Sequence, residues 1–245
     1  DTVDELLRFG HNFTRFVDYN KIYTHASSVT GMRSYLIEAH MDEILDRAVQ
    51  SGGIRIKYQP LWSVKEQRFD SAEAVIALSD EIYGEIDPDL LISAAEESGL
   101  IVRLGDRLIK EVFAFAAQED PNKTGFSRIY IRLSVNQCMQ MDITDKIWEQ
   151  REKYRITSDR IGFAIRESAY ENMSSVFDEN LRKLSVQGYR IVLDGFGRGY
   201  TNMRRLLDMP IKAVRLVRED VDGMAELRAL FRQHGGELLD GLFRV

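Results

Sequence analysis

Strand-like and helix-like segments alternate along most of the 245 residues of this chain, an order that few folds accommodate. Phe69–Ile76, Arg128–Val135, Arg160–Ile165, Tyr189–Leu193 and Ala213–Val217 are short and rich in apolar and β-branched residues, which predicts buried strands. Ile54, Ile56 and Tyr58 alternate with basic residues and predict another strand running into Gln59-Pro60. Pro88–Glu97, Leu104–Ala117, Ile143–Tyr154, Val176–Gln187 and Asn202–Leu207 read as helices, and Ala225–His234 and the short Leu238–Phe243 as the last two. Strand-then-helix units in series demand a mainly parallel sheet, because each parallel return needs a crossover. About seven strands of this kind favour closure into a TIM-like (β/α)8 barrel, one short of the full eight.

Residues 1–50 differ from the rest. Asp4–Phe16 and Met32–Gln50 look helical, a Ser/Thr-rich stretch at 24–31 separates them, and together they read as an N-terminal helical extension or linker. A chain of this length buries one main domain. No apolar run is long enough to span a bilayer, and the net charge of -6 argues against general affinity for nucleic acid polymers or anionic membranes. The lone Cys138 forms no internal disulfide, suits a reducing, cytoplasmic setting and reads as a small buried apolar residue. His11, His25, His40 and His234 lack the spacing of a zinc site. Trp148 and Tyr154, with Ile147, read as a helix face packed on the barrel, and the charged runs 149–153 and 215–222 as solvated faces.

One strand end stands out. In Gly188–Thr201, GYRIVLDGFGRGYT, a buried strand runs into Asp194 and then into a turn holding Gly195, Gly197 and Gly199. In an α/β barrel the loops leaving the carboxyl ends of the strands build the site. Glu73 in the second strand, Asn136 closing the third, Glu167 after the fourth, Asp194 ending the fifth and Arg215 in the sixth would gather at one mouth. The oxygen ligands among them would suit a hard divalent cation such as Mg²⁺. Each taken singly also reads as a capping residue or a solvated carboxylate, and only their recurrence at successive strand ends favours a site.

Tyr58-Gln59-Pro60, Ala72-Glu73-Ala74-Val75, Ala95-Glu96 with Ser98-Gly99-Leu100-Ile101, Val135-Asn136, Glu167-Ser168 and Asp194-Gly195-Phe196-Gly197-Arg198-Gly199-Tyr200 follow the order of the landmarks of EAL domains. From about Ile54 onward the chain resembles that family. The resemblance implies an EAL-type barrel over 51–245, with 1–50 similar only to the linker found upstream. Active EAL domains hydrolyse cyclic di-GMP to linear pGpG with two Mg²⁺ or Mn²⁺ ions. By position, Glu73 matches the motif glutamate, Asn136 an asparagine ligand, Asp194 the first of two adjacent aspartates and Glu219 the last acidic ligand, a vestigial metal set. Gln59, Glu73, Asn136, Asp194 and Asp240, the last at a glutamine position, are the residues the resemblance assigns to ligand binding. Glu167 matches a residue that steadies an active-site loop.

The departures carry as much information. Where the family has a second glutamate, a second aspartate, a catalytic lysine, the final aspartate of the lysine motif and a phosphate-gripping arginine, this chain has Ala164, Gly195, Arg215, Val217 and Ala77. Two-metal hydrolysis relies on anionic oxygens that hold the cations about 3.5–4 Å apart. Ala164 and Gly195 offer none, a loss expected to cost roughly 10²–10⁴-fold in metal affinity or activity. Arg215 stays protonated near neutral pH and adds positive charge without serving as a base; it or Arg198 is placed to replace the charge that metals supplied. The expectation is a degenerate EAL domain in cyclic di-GMP signalling, without phosphodiesterase activity, acting as a nucleotide receptor or protein-interaction module. An active phosphodiesterase with an unusual ligand set and a structural module with no ligand remain as alternatives. No tightly bound cofactor is expected, Mg²⁺ or Mn²⁺ being the ion if activity survives. Expected partners are cyclic di-GMP, a sensory domain or protein partner reached through the N-terminal helices, and a second copy in a homodimer. Glu219-Asp220-Val221-Asp222 follows Val217 almost at once where a βα step takes roughly 30 residues, so one βα unit is expected to be missing or disordered.

Overall fold

The computed structural model describes residues 36–51, 53–63, 68–170, 174–196, 209–216 and 237–239. Its strands are β1 (Ile54–Ser63), β2 (Arg68–Asp80), β3 (Gly84–Ile86), β4 (Arg128–Arg132), β5 (Ile161–Arg166), β6 (Arg190–Phe196), β7 (Ala213–Leu216) and β8 (Glu237–Leu239). Helix α1 (Met41–Ser51) precedes them, and α2 (Pro88–Glu97), α3 (Ile101–Gln118), α4 (Val135–Cys138), α5 (Ile143–Tyr154) and α6 (Ser175–Val186) lie between them.

The sheet runs β1-β2-β4-β5-β6-β7-β8, with β3 paired to β2 off that path. From β2 to β8 every pairing along the path is parallel, as strands separated by helical crossovers must be. Closure of the sheet onto itself is not made among the described residues. The register sets Glu73 opposite Tyr130, Arg132 opposite Ala164, Ala164 opposite Val192, Val192 opposite Ala213 and Asp194 opposite Arg215. Because side chains alternate faces with a period of two, these residues share one face. Leu61, Tyr130, Ala164, Val192 and Ala213 form a buried apolar cluster there.

Ile129, Ile131, Phe163, Ile165, Ile191, Leu193 and Val214 are buried on the other face, as expected of parallel strands covered on both sides. Helix α3 packs along β4 and α6 along β6. In α3 the buried Ile101, Leu104, Leu108, Ile109, Val112, Phe113 and Ala116 recur at helical spacing. Gly162 makes room for Tyr130: a Cβ at that position would lie 2.5 Å from two carbons of the ring.

The chain divides into two compact units. One holds the described residues up to Gly53 together with Leu78–Ala94; the other holds Ile54–Ala77 and the described residues from Ala95 onward, including every candidate site residue that is described. No helix among the described residues is long and apolar enough to cross a membrane.

Several expectations need correction. The strand expected over 128–135 stops at Arg132, because Ser134 caps a new helix: its Oγ accepts from the Gln137 N–H at 3.2 Å while Gln137 Oε1 accepts from the Ser134 N–H at 3.2 Å. Asn136 therefore sits on α4 rather than closing the strand. Leu238, expected to begin a short helix, lies in β8, held by parallel pairing with Val214. Trp148 is half-exposed rather than packed, whereas its neighbour Ile147 is fully buried. Arg215, assigned to a solvated run, is buried. Cys138 is buried as expected, and burial pushes its thiol up to about 12. The helices expected over 4–16, 202–207 and 225–234, and the expected gap beyond Val217, lie outside the described residues.

In the smaller unit, Asp80 Oδ2 accepts from Arg47 Nη2 at 2.9 Å and Nε at 3.2 Å, and Oδ1 from the Ile82 and Tyr83 N–H groups at 2.9 and 3.0 Å. Burial alone would raise the Asp80 pKa, but these donors hold it below its ordinary value. A carboxylate whose pKa is depressed by folding stabilises above its unfolded value of about 3.9 and loses that contribution as pH falls through its folded value. Asp80→Asn is expected to cost about 1–3 kcal/mol at pH 7. In chemical denaturation the gap from wild type holds down to about pH 5 and closes below about pH 4; a gap unchanged at pH 3 contradicts this reading.

Candidate functional site

Parallel register brings four charged side chains to one place on the shared face. Glu73 comes from the middle of β2, Arg132 from the last position of β4, Asp194 from β6 and Arg215 from β7. Arg132 Nη2 donates to Asp194 Oδ2 at 2.9 Å and lies 3.0 Å from Glu73 Oε1. Arg215 Nη1 donates to Glu73 Oε2 at 2.9 Å and lies 3.4 Å from Asp194 Oδ1. The four contacts form a closed ring in which acid and base alternate, each carboxylate uses both of its oxygens, and the charges balance.

The ring is buried enough for these contacts to count. The Glu73 side chain is 1% exposed, Arg215 9%, Asp194 13% and Arg132 20%. Burial by itself lowers the pKa of Arg215, but the Glu73 and Asp194 carboxylates more than offset this and hold it above its ordinary value. Its guanidinium is therefore charged throughout the usual pH range. Arg132 Nε and Arg215 Nε and Nη2 are buried without a hydrogen-bond partner among the described residues, so neither arginine spends its full donor fork on the ring.

Arg132 is the site residue that sequence reasoning missed. The signal available was the alternation in Arg128–Arg132, RIYIR, where Ile129 and Ile131 take one face and leave Tyr130 and Arg132 on the other. Glu73, Asp194 and Arg215 do converge, as their strand positions implied. Among the described residues no hydrogen bond joins Gln59, in β1, or Asn136, on α4, to the ring. Asn136 is held through its backbone, its carbonyl accepting from Gln140 Nε2 at 3.2 Å. Glu167 is buried in a 3-10 turn immediately after β5. Glu219, Asp240 and Arg198 lie outside the described residues.

These residues do not fit a pair of divalent cations. The two acidic groups of the ring already carry two guanidinium groups on all four oxygens, and no group of three or more His, Cys, Asp or Glu suited to a metal occurs among the described residues. The neighbouring positions do not make up the deficit. Ala164 is fully buried in the apolar cluster with Leu61, Tyr130, Val192 and Ala213, where a carboxylate would lose its solvation. Gly195 adopts φ +74° at a register shift between Asp194 and Phe196, a left-handed backbone that favours glycine.

A family model described as EAL domain matches residues 42–234. Among curated proteins, the signaling protein YkoW of Bacillus subtilis (strain 168) is 27% identical over 186 residues, which is 76% of this chain and 23% of YkoW. The probable cyclic di-GMP phosphodiesterase PdeG of Escherichia coli (strain K12) is 28% identical over 176 residues, which is 71% of this chain and 34% of PdeG. The chain thus spans about a quarter to a third of the length of these relatives. Among solved structures, the PaMucR phosphodiesterase in its c-di-GMP complex superposes with a TM-score of 0.71 at 21% identity, over 81% of this chain and 85% of that one. The Xanthomonas citri FimX EAL domain in complex with c-diGMP gives 0.69 at 17% identity, over 82% of each chain. Both likenesses give the fold as that of EAL domains, which are TIM-like barrels.

The ring makes a prediction about stability. Removing one member of a buried ion-pair network leaves an uncompensated charge and typically costs about 3–5 kcal/mol, whereas replacing a whole pair by apolar groups of similar volume is often neutral. Arg215→Met alone is expected to lose about 3–5 kcal/mol in urea unfolding, and Glu73→Leu with Arg215→Met markedly less. Strictly additive losses would show that the two residues are not coupled.

Proposed function

This chain belongs to the EAL domain family, and on that footing we propose that it acts in cyclic di-GMP signalling as a catalytically silent domain, a nucleotide receptor or protein-interaction module. The observation that carries the reading is the neutralised ring. Hydrolysis by paired cations needs free anionic oxygens to seat them, and here Glu73 and Asp194 are each bridged by two guanidinium groups. Ala164 and Gly195 supply no replacement oxygen, and Arg215, charged and paired, offers no base. In this reading the barrel domain of 51–245 keeps the architecture that binds c-di-GMP in the PaMucR and FimX complexes, and residues 1–50 connect it to a sensory or partner module. Gln59, Asn136 and the exposed edge of the ring are the groups left to meet a nucleotide.

The test is product analysis followed by calorimetry. With cyclic di-GMP and millimolar Mg²⁺ or Mn²⁺, pGpG formation is expected to fall at least roughly 10²–10⁴-fold below that of a metal-competent relative. Turnover at the relative's rate would contradict silence. Calorimetric binding at tens of micromolar nucleotide supports the receptor, and no binding at that concentration supports the interaction module.

A further inference from the structure

The ring does more than occupy the place of a metal site. A divalent cation between two carboxylates supplies two positive charges and ties together strands that would otherwise hold like charges side by side. Arg132 and Arg215 make the same cross-link with covalently attached cations, each spanning Glu73 on β2 and Asp194 on β6 at 2.9–3.4 Å. We infer that Arg132 and Arg215 are built-in replacements for divalent cations: they make this face of the sheet independent of metal and mask a divalent-cation site formed by the Glu73 and Asp194 carboxylates.

Three observations point the same way. The guanidinium groups contact all four carboxylate oxygens, so an entering cation meets two positive charges already held at those oxygens. Glu73 is almost fully buried, so its charge needs a permanent partner whatever the ionic conditions. The arginines come from β4 and β7, the strands flanking β5 and β6 in the sheet order, so the compensation is distributed across the sheet and does not depend on one loop. The cross-link is made whether or not a nucleotide binds, and a failed metal titration would leave the turnover assay to decide silence on its own.

The experiment is thermal unfolding of the chain in EDTA and in millimolar Mg²⁺ or Mn²⁺, for wild type, Arg132→Met and the Arg132→Met/Arg215→Met double variant, with Mn²⁺ binding followed by electron paramagnetic resonance. Wild type is expected to show the same midpoint with and without metal and no bound Mn²⁺. The double variant is expected to melt lower in EDTA, to bind Mn²⁺, and to regain roughly 5–10 °C at about 100 times the dissociation constant. If the double variant does not fold, Arg132→Met, which removes the more exposed arginine, is expected to show the same metal response with smaller amplitude. A wild-type midpoint that rises with Mg²⁺ or Mn²⁺, or a folded variant that binds no Mn²⁺, overturns the inference.

Discussion

Two carboxylates and two guanidinium groups, from four different strands, meet on one face of a parallel sheet, and the character of the site follows from how they neutralise one another. Glu73 sits in the middle of β2 with almost no exposed surface. An isolated charge there would cost several kcal/mol. Its two arginine partners offset that cost, and because each also reaches Asp194, β2, β4, β6 and β7 become electrostatically coupled across the sheet. Both oxygens of each carboxylate are engaged by the two guanidinium groups.

Backbone register makes that convergence available. Parallel pairing from β2 through β7 carries one side-chain parity across the sheet, so that Tyr130, Ala164, Val192 and Ala213 fill the interior below while Arg132, Asp194 and Arg215 stand toward the carboxyl ends. The small residues are part of the same arrangement. Gly162 gives Tyr130 its room, and Ala164 keeps the layer beside Arg132 apolar. Placing an acid at position 164 therefore means inserting a charge into a packed layer as well as changing one residue.

Much of this was legible in the amino-acid sequence. Pro88–Glu97 and Ile143–Tyr154 form helices with the bounds their apolar spacing implied, and Glu73 and Arg215 lie on the expected strands, while the strand expected to end at Asp194 runs on to Phe196. Local chemistry explains one miss: Ser134 and Gln137 form a reciprocal cap that ends the strand early and moves Asn136 onto a helix. Long-range pairing explains another, since β8 is a strand because β7 offers an edge, a fact no window around Leu238 contains. Arg132 was missed for a related reason. Its partners are 59 and 62 residues away (132 − 73 and 194 − 132), and nothing in RIYIR distinguishes an arginine that faces two buried acids from one that faces water.

Guanidinium groups thus stand at Glu73 and Asp194 where cations would otherwise sit. Anomalous diffraction at the manganese edge, from crystals of this chain grown in Mn²⁺, tests it most directly. The account predicts no manganese within about 2–2.6 Å of either carboxylate, with Arg132 and Arg215 bridging both. Two ordered ions about 3.5–4 Å apart on Glu73 and Asp194, with the arginines turned away, would contradict it.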